Sequence, residues 1–219
     1  MPQFVQSLAR PGAPPREGIP ETRPTDRLLF AVYPEPQVAA TRIAPLAQRL
    51  RSELNLRGKP IATERLHATV HFLGDYAALP PDLVSAARAA GSALRMAPFE
   101  VTFDRVASFN NRSRNRPLVL KDGGTGSGAS SSGLVGGGIR SLRDFHHALG
   151  EALLGVGLGR WASPVFTPHV TLLYDDRAVE ETPVEDIGWT VREFVLVHSL
   201  LGGGRHVALA RWPLTGHAD

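Results

Sequence analysis

No cysteine occurs among the 219 residues, which excludes disulfides, thiolate metal centres and thiol nucleophiles. No apolar run reaches the ~18 residues that a membrane helix needs, so no membrane partner is expected. The N-terminus lacks a basic stretch followed by an apolar segment; a secretory signal is therefore not expected, and a cytoplasmic location is. Lysine is nearly missing, since 22 of the 24 basic residues are arginine. A guanidinium stays ionised at any accessible pH, which carries the isoelectric point to 9.8 although the formal charge is only +3. So small a charge argues against the broad basic footprint of a long-duplex binder. The phosphate-loop pattern Gly-x4-Gly-Lys-Ser/Thr is absent too, so the Gly/Ser-rich stretch 123–138 reads as a flexible surface loop. What remains is 42% apolar and 21% charged, the balance of a chain that buries a core.

Against these absences one pattern occurs twice. His67-Ala68-Thr69-Val70 and His169-Val170-Thr171-Leu172 stand roughly a hundred residues apart, each inside a β-prone apolar run. In a strand, positions i and i+2 share a face. Each copy therefore presents an imidazole beside a hydroxyl. Ala68, Val70 and Phe72, or Val170, Leu172 and Tyr174, are expected to turn the other way into a core. Two such strands meeting across a cleft would gather two histidines and two hydroxyls around one small space.

Periodicity supplies the frame. Residues 1–25 read as a proline-rich flexible leader, 26–214 as one bilobal domain with a flexible loop at 122–138, and 215–219 as a tail. Strands are expected at Arg27–Tyr33, Leu66–Leu73, Phe99–Phe109, Pro117–Lys121, Thr167–Tyr174, Trp189–Leu201 and Arg205–Leu214. The last two should be joined as a hairpin around Gly202–Gly204. Helices are expected from Val38 to about Leu54, from Pro81 to about Arg95, and over Leu142–Leu153. Pro45 is an irritant in the first of these. The order β-α-β-α-β-β-α-β-β-β argues for an α+β fold with helices outside two antiparallel-rich sheets.

Two imidazoles facing one phosphodiester supply what in-line cleavage demands. One takes a proton from the attacking water, and the other gives a proton to the leaving oxygen. Histidine suits both tasks because its ordinary pKa, about 6.5, allows either form near neutrality. The hydroxyls of Thr69 and Thr171 are candidate donors to the phosphoryl oxygens. The arginine cluster Arg112, Arg114 and Arg116 in NNRSRNRP is a candidate contact for an RNA backbone beside the cleft.

The paired runs LHATVHFLGD and FTPHVTLLYD, with an LLFAVYP opening strand, RPLVL, FVLVHSLLG and RWPL, resemble the 2H phosphoesterase superfamily. Within it they are most similar to the bacterial RNA 2′,3′-cyclic phosphodiesterases, the 2′-5′ RNA ligase-like proteins. The resemblance spans about Asp26 to Leu214. It implies a bilobal α+β fold with pseudo-twofold lobes and a metal-free site without cofactor. It also implies hydrolysis of a terminal 2′,3′-cyclic phosphate to a 2′-phosphate, with weak reverse ligation. His67 and His169 become the catalytic pair, with His169 as base and His67 as acid, and Thr69 and Thr171 become substrate contacts.

Two positions depart from the family pattern. Tyr174 stands where many relatives carry arginine, and His71 is not a usual family position. Alternation puts His71 on the face of His67 and Thr69, so it is expected as a polar residue at the cleft rim or a substrate contact. A metal site from His67, His71 and His169 is disfavoured because no carboxylate accompanies them. The expected partners are RNA ends or cyclic nucleotides; no protein partner is implied, and a monomer is expected. Two alternatives stand beside this reading: a non-catalytic nucleotide or RNA-end binding module, and the same chemistry on a small substrate such as ADP-ribose cyclic phosphate.

Overall fold

The computed structural model describes residues 23–109, 115–123 and 138–216. Most of the expected leader, the end of the chain, most of the Gly/Ser stretch and the centre of the arginine loop lie outside these ranges.

Among the described residues eight strands form two four-stranded sheets, and every pairing is antiparallel. The strands are β1 (Asp26–Val32), β2 (Ala68–Tyr76), β3 (Phe99–Ser108), β4 (Arg116–Lys121), β5 (His169–Asp175), β6 (Thr182–Val191), β7 (Glu193–Leu200) and β8 (Arg205–Pro213). One sheet has the order β2-β1-β7-β8 and the other β5-β4-β3-β6. In each sheet the motif strand is outermost, and the register around the two motifs matches. Ala31 faces Thr69 and Val32 faces Ala68 in the first sheet, while Val119 faces Thr171 and Leu120 faces Val170 in the second. Each histidine motif thus lies on the outer strand of its own sheet.

The β1 run alternates as its composition demands. Leu28, Phe30 and Val32 enter the main core, whereas Leu29 and Ala31 join Val195, Val197 and Tyr33 in a separate small cluster on the opposite face. The expected strand over Trp189–Leu201 is in fact two. β6 pairs with β3 in one sheet and β7 with β1 and β8 in the other, the chain changing sheets at Arg192. An apolar run conceals such a crossing because both halves are buried alike. The expected hairpin around Gly202–Gly204 is present, with Leu200 opposite Arg205.

Among the described residues four α-helical segments pack with these sheets: α1 (Pro36–Val38), α2 (Ala44–Glu53), α3 (Pro81–Ala93) and α4 (Gly138–Gly155). A π-helical turn at Ala39–Ile43 connects the first two. Pro45 explains it. Proline has no N–H to donate and its ring crowds the preceding turn, and a widened turn relieves both without ending the helix. In α4, Leu142, Phe145, Leu149 and Leu153 are fully buried along one stripe. Phe145 packs 5.5 Å from Phe99 of β3 and 5.1 Å from Phe194 of β7, so a single ring touches both sheets. No described helix is long and apolar enough to cross a membrane.

Candidate active site

β2 and β5, the two motif strands, are the outer strands of their sheets, and they pack against one another. His67 precedes β2 and His169 opens β5, and both rings are half-buried. The same local bond holds each ring. The Nδ1 of His67 lies 2.7 Å from the Arg65 carbonyl oxygen, and the Nδ1 of His169 lies 2.7 Å from the Thr167 carbonyl oxygen. A carbonyl only accepts, so each Nδ1 carries the proton and donates it. Each Nε2 is therefore free to accept or give a proton. Burial pushes both imidazoles below their ordinary pKa, and the neighbouring charges of His169, Arg65 and Arg27 depress His67 further. The hydroxyls of Thr69 and Thr171 have no protein partner among the described residues.

Alternation fails just beyond each threonine, and it fails identically in both strands. Register shifts fall between Phe30 and Ala31 opposite β2, and between Leu118 and Val119 opposite β5. Each is a bulge with one extra residue in the motif strand. Val70 and His71 are consequently both buried, as are Leu172 and Leu173. Phe72 and Tyr174 are thrown out, 48% and 43% exposed, instead of entering the core as alternation predicts.

This corrects the expectation for His71, which is 2% exposed and not a rim residue. Its Nε2–H donates to the His146 carbonyl at 2.9 Å, and its ring stacks on His146 with centroids 4.2 Å apart. That bond removes it from any ligand set with His67 and His169, and no cluster suited to a metal ion occurs among the described residues. Tyr174 returns to the face of Thr171, within electrostatic reach of Arg27. Arg27 is clamped by both carboxylate oxygens of Asp75, at 2.7 and 2.8 Å, and lies over the Phe72 ring. A cation thus reaches the neighbourhood of Tyr174 from β1 rather than from β5. Arg112 and Arg114 lie outside the described residues. Arg116 opens β4 and donates through Nη1 to the Asp176 carbonyl at 2.7 Å.

Sequence reasoning missed several groups around the histidines. His206 of β8 meets the His67 ring edge-on at 4.9 Å and shares a 3.0 Å hydrogen bond with the Tyr33 hydroxyl. Burial lowers the His206 pKa to about 4 and raises that of Tyr33 to about 12, so both are neutral near pH 7. Phe109 meets His169 edge-on at 4.8 Å, taking the place that His206 has beside His67. Tyr33 was legible as the cleft-side member of the Arg27, Leu29, Ala31 alternation, whereas His206 and Phe109 carry no local signal. Asp175, buried at the end of β5, accepts backbone N–H groups of Arg57, Gly58 and Arg177 at 2.6 to 2.9 Å. It pins the 57–58 loop against β5, where a Cβ on Gly58 would stand 2.0 Å from the Tyr174 carbonyl oxygen.

The family model of the 2′-5′ RNA ligase superfamily matches residues 34–203. The chain belongs to the 2′-5′ RNA ligase superfamily. Among curated members, the RNA 2′,3′-cyclic phosphodiesterase of Escherichia coli K12 is 28% identical over 170 residues, which cover 72% of this chain and 81% of the relative. Among solved superfamily structures, the apo form of E. coli LigT superposes with a TM-score of 0.59 at 26% identity, covering 88% of this chain and 99% of that one. The 3′-AMP complex of LigT gives the same TM-score and identity. A structure from Thermus thermophilus reaches a TM-score of 0.64 at 24% identity, covering 87% and 99% of the two chains, a likeness of fold. Two four-stranded antiparallel sheets with outer helices are the α+β architecture expected from the sequence. The chain is a phosphoesterase by this membership.

Proposed function

We propose that this chain hydrolyses a 2′,3′-cyclic phosphate at an RNA or nucleotide end, leaving a 2′-phosphomonoester, with His67 and His169 as its acid and base. The observation that carries this reading is the duplicated carbonyl lock, which leaves two Nε2 atoms free on adjoining strands beside two uncommitted threonine hydroxyls. The activity named for the E. coli relative supports the same substrate class. In the reaction, the neutral imidazole of His169 takes a proton from water as the water oxygen bonds to phosphorus. The bond from phosphorus to O3′ breaks on the far side, and the protonated imidazole of His67 delivers its proton to O3′. The Thr69 and Thr171 hydroxyls donate to the non-bridging oxygens as charge grows there. With an RNA 5′-hydroxyl in place of water, the same steps bond that oxygen to phosphorus as the bond to O3′ breaks, a weak 2′-5′ ligation.

This order of roles asks His67 to hold a proton that burial and its cationic neighbours oppose in the free protein. The phosphate anion supplies the missing stabilisation once it is bound. End-group analysis of an RNA oligonucleotide ending in 2′,3′-cyclic phosphate tests the proposal. Wild type should convert it to the 2′-monoester in the presence of EDTA, and His67→Ala should not. Tight binding without product would make the chain a binding module instead.

A further inference from the structure

A cavity of about 410 Å³ opens beside the two motifs, on the side of Thr69 and His169. Neither His67 nor Thr171 lines it, so it adjoins the space between the two imidazoles without being that space. One wall is a ladder of three rings. His71 stacks on His146 at 4.2 Å and 17°, and His146 stacks on Phe166 at 4.3 Å and 6°. The other wall is the segment that follows α4, where the Arg160 guanidinium lies 3.8 Å over the Trp161 ring. Val165, 80% exposed, adds an apolar side chain that no core contact explains.

Arg160 is the cation that lines this cavity, and it has no carboxylate partner among the described residues, whereas Arg27 is clamped by Asp75 and Arg116 is committed to a backbone carbonyl. A guanidinium held 3.8 Å over an indole by cation–π attraction loses less freedom when its N–H donors are used. The cavity therefore joins flat, largely apolar walls to one unpaired cation. A phosphoryl group alone would not need such walls. A nucleoside would, since it offers a base with two π-faces and a ribose, and its next phosphate lies one sugar away from the reacting one.

We propose that this cavity seats the nucleoside whose 2′,3′-phosphate is opened, and that Arg160, held over Trp161, binds that nucleoside's 5′-phosphate. The preferred substrate is then an RNA end, or a nucleotide that keeps its 5′-phosphate, over a bare nucleoside cyclic phosphate. The proposal rests on the cyclic phosphodiesterase reading above.

The test compares cytidine 2′,3′-cyclic phosphate with its 5′-phosphorylated counterpart, using the full chain and Arg160→Gln. Arg160 is exposed, so the substitution leaves the fold alone. In wild type the 5′-phosphate should raise kcat/KM on the order of tenfold through KM, the range of one charge-assisted hydrogen bond. In Arg160→Gln that ratio should collapse toward one. A wild-type ratio near one, or a ratio that Arg160→Gln leaves unchanged, overturns the assignment. Calorimetric binding of cytidine 2′-phosphate and cytidine 2′,5′-bisphosphate separates the two readings. A 5′-phosphate gain that Arg160→Gln abolishes supports the nucleoside seat even if neither cyclic compound is turned over, a result that would overturn the hydrolase alone. Equal binding removes the seat even where turnover is brisk.

Discussion

An imidazole works as an acid or a base when one nitrogen is anchored and the other is free, and residues two before each histidine do the anchoring here. The pairing of each imidazole with a hydroxyl was expected from the sequence, because His-x-Thr in a strand puts both on one face. The anchoring and the tautomer were not, since a carbonyl lock leaves no trace in side-chain identity. The lock and the burial together predict a pH profile. Both rings are pushed below about 6.5, so in the free protein each changes charge on the acid side of that value. The kcat/KM profile reports free-protein ionisations, so it should be a bell displaced to the acid side of an unperturbed histidine pair. His67→Ala or His169→Ala should each lower kcat/KM by about 10²- to 10⁴-fold, the range of one acid–base group. Steady-state rates from pH 4.5 to 8.5 check this. A wild-type bell centred well above 6.5 contradicts the burial argument, and a substitution costing less than tenfold takes that histidine out of the chemistry.

At the scale of the element, what escaped the sequence was every place where a strand or helix breaks its own period. The bulges after Thr69 and Thr171 move His71 inward and Tyr174 outward, and an extra residue in a ladder looks like ordinary alternation until the partner strand is seen. The π turn before Pro45 and the sheet change at Arg192 are of the same kind. The strands themselves were legible because β-branched and apolar residues recur with period two, and the helices because leucines recur at three and four. His71, turned inward by the Val70 bulge, has a consequence for stability, since it holds β2 to α4 through His146. Burial lowers the His146 pKa to about 4, against about 6.5 in an unfolded chain. Above pH 6.5 the ring is neutral in both states and contributes nothing. Below it the unfolded chain binds a proton that the native ring refuses, so stability is lost as pH falls from 6.5 toward 4. The loss from this one ring reaches about 3 kcal/mol at most. Urea unfolding of wild type and His146→Phe at pH 7.5 and pH 5 isolates it. The variant should lose less stability between the two pH values, and an equal loss would show that His146 is protonated in the native state.

For the whole molecule, what matters is that the motif strands of the two sheets pack together and bring His169 within electrostatic reach of His67. Each motif strand is the outer strand of its sheet, which allows that contact, and the paired motifs pointed to it. The crossings that build the sheets, with β7 returning to lie beside β1, depend on distant pairings that no local window contains. Groups such as His206, delivered to His67 by β8, were invisible for the same reason. A phosphate held between His67 and His169 therefore ties the sheets together and should stabilise the whole fold. A monoester dianion favours protonated imidazoles, whereas the free protein, with both rings depressed, resists them. Binding must then take up protons, and affinity strengthens as pH falls through the raised, ligand-bound pKa values. The gain ends as the monoester itself takes a proton near pH 6. At fixed ligand, stabilisation follows RT ln(1 + [L]/Kd), so the melting shift produced by cytidine 2′-phosphate should be larger at pH 6.5 than at pH 8. Losing either histidine should shrink the shift and flatten its pH dependence. A shift equal at both pH values in wild type would mean that the ligand binds without protonating either ring, and the phosphate would then have to sit away from the two Nε2 atoms.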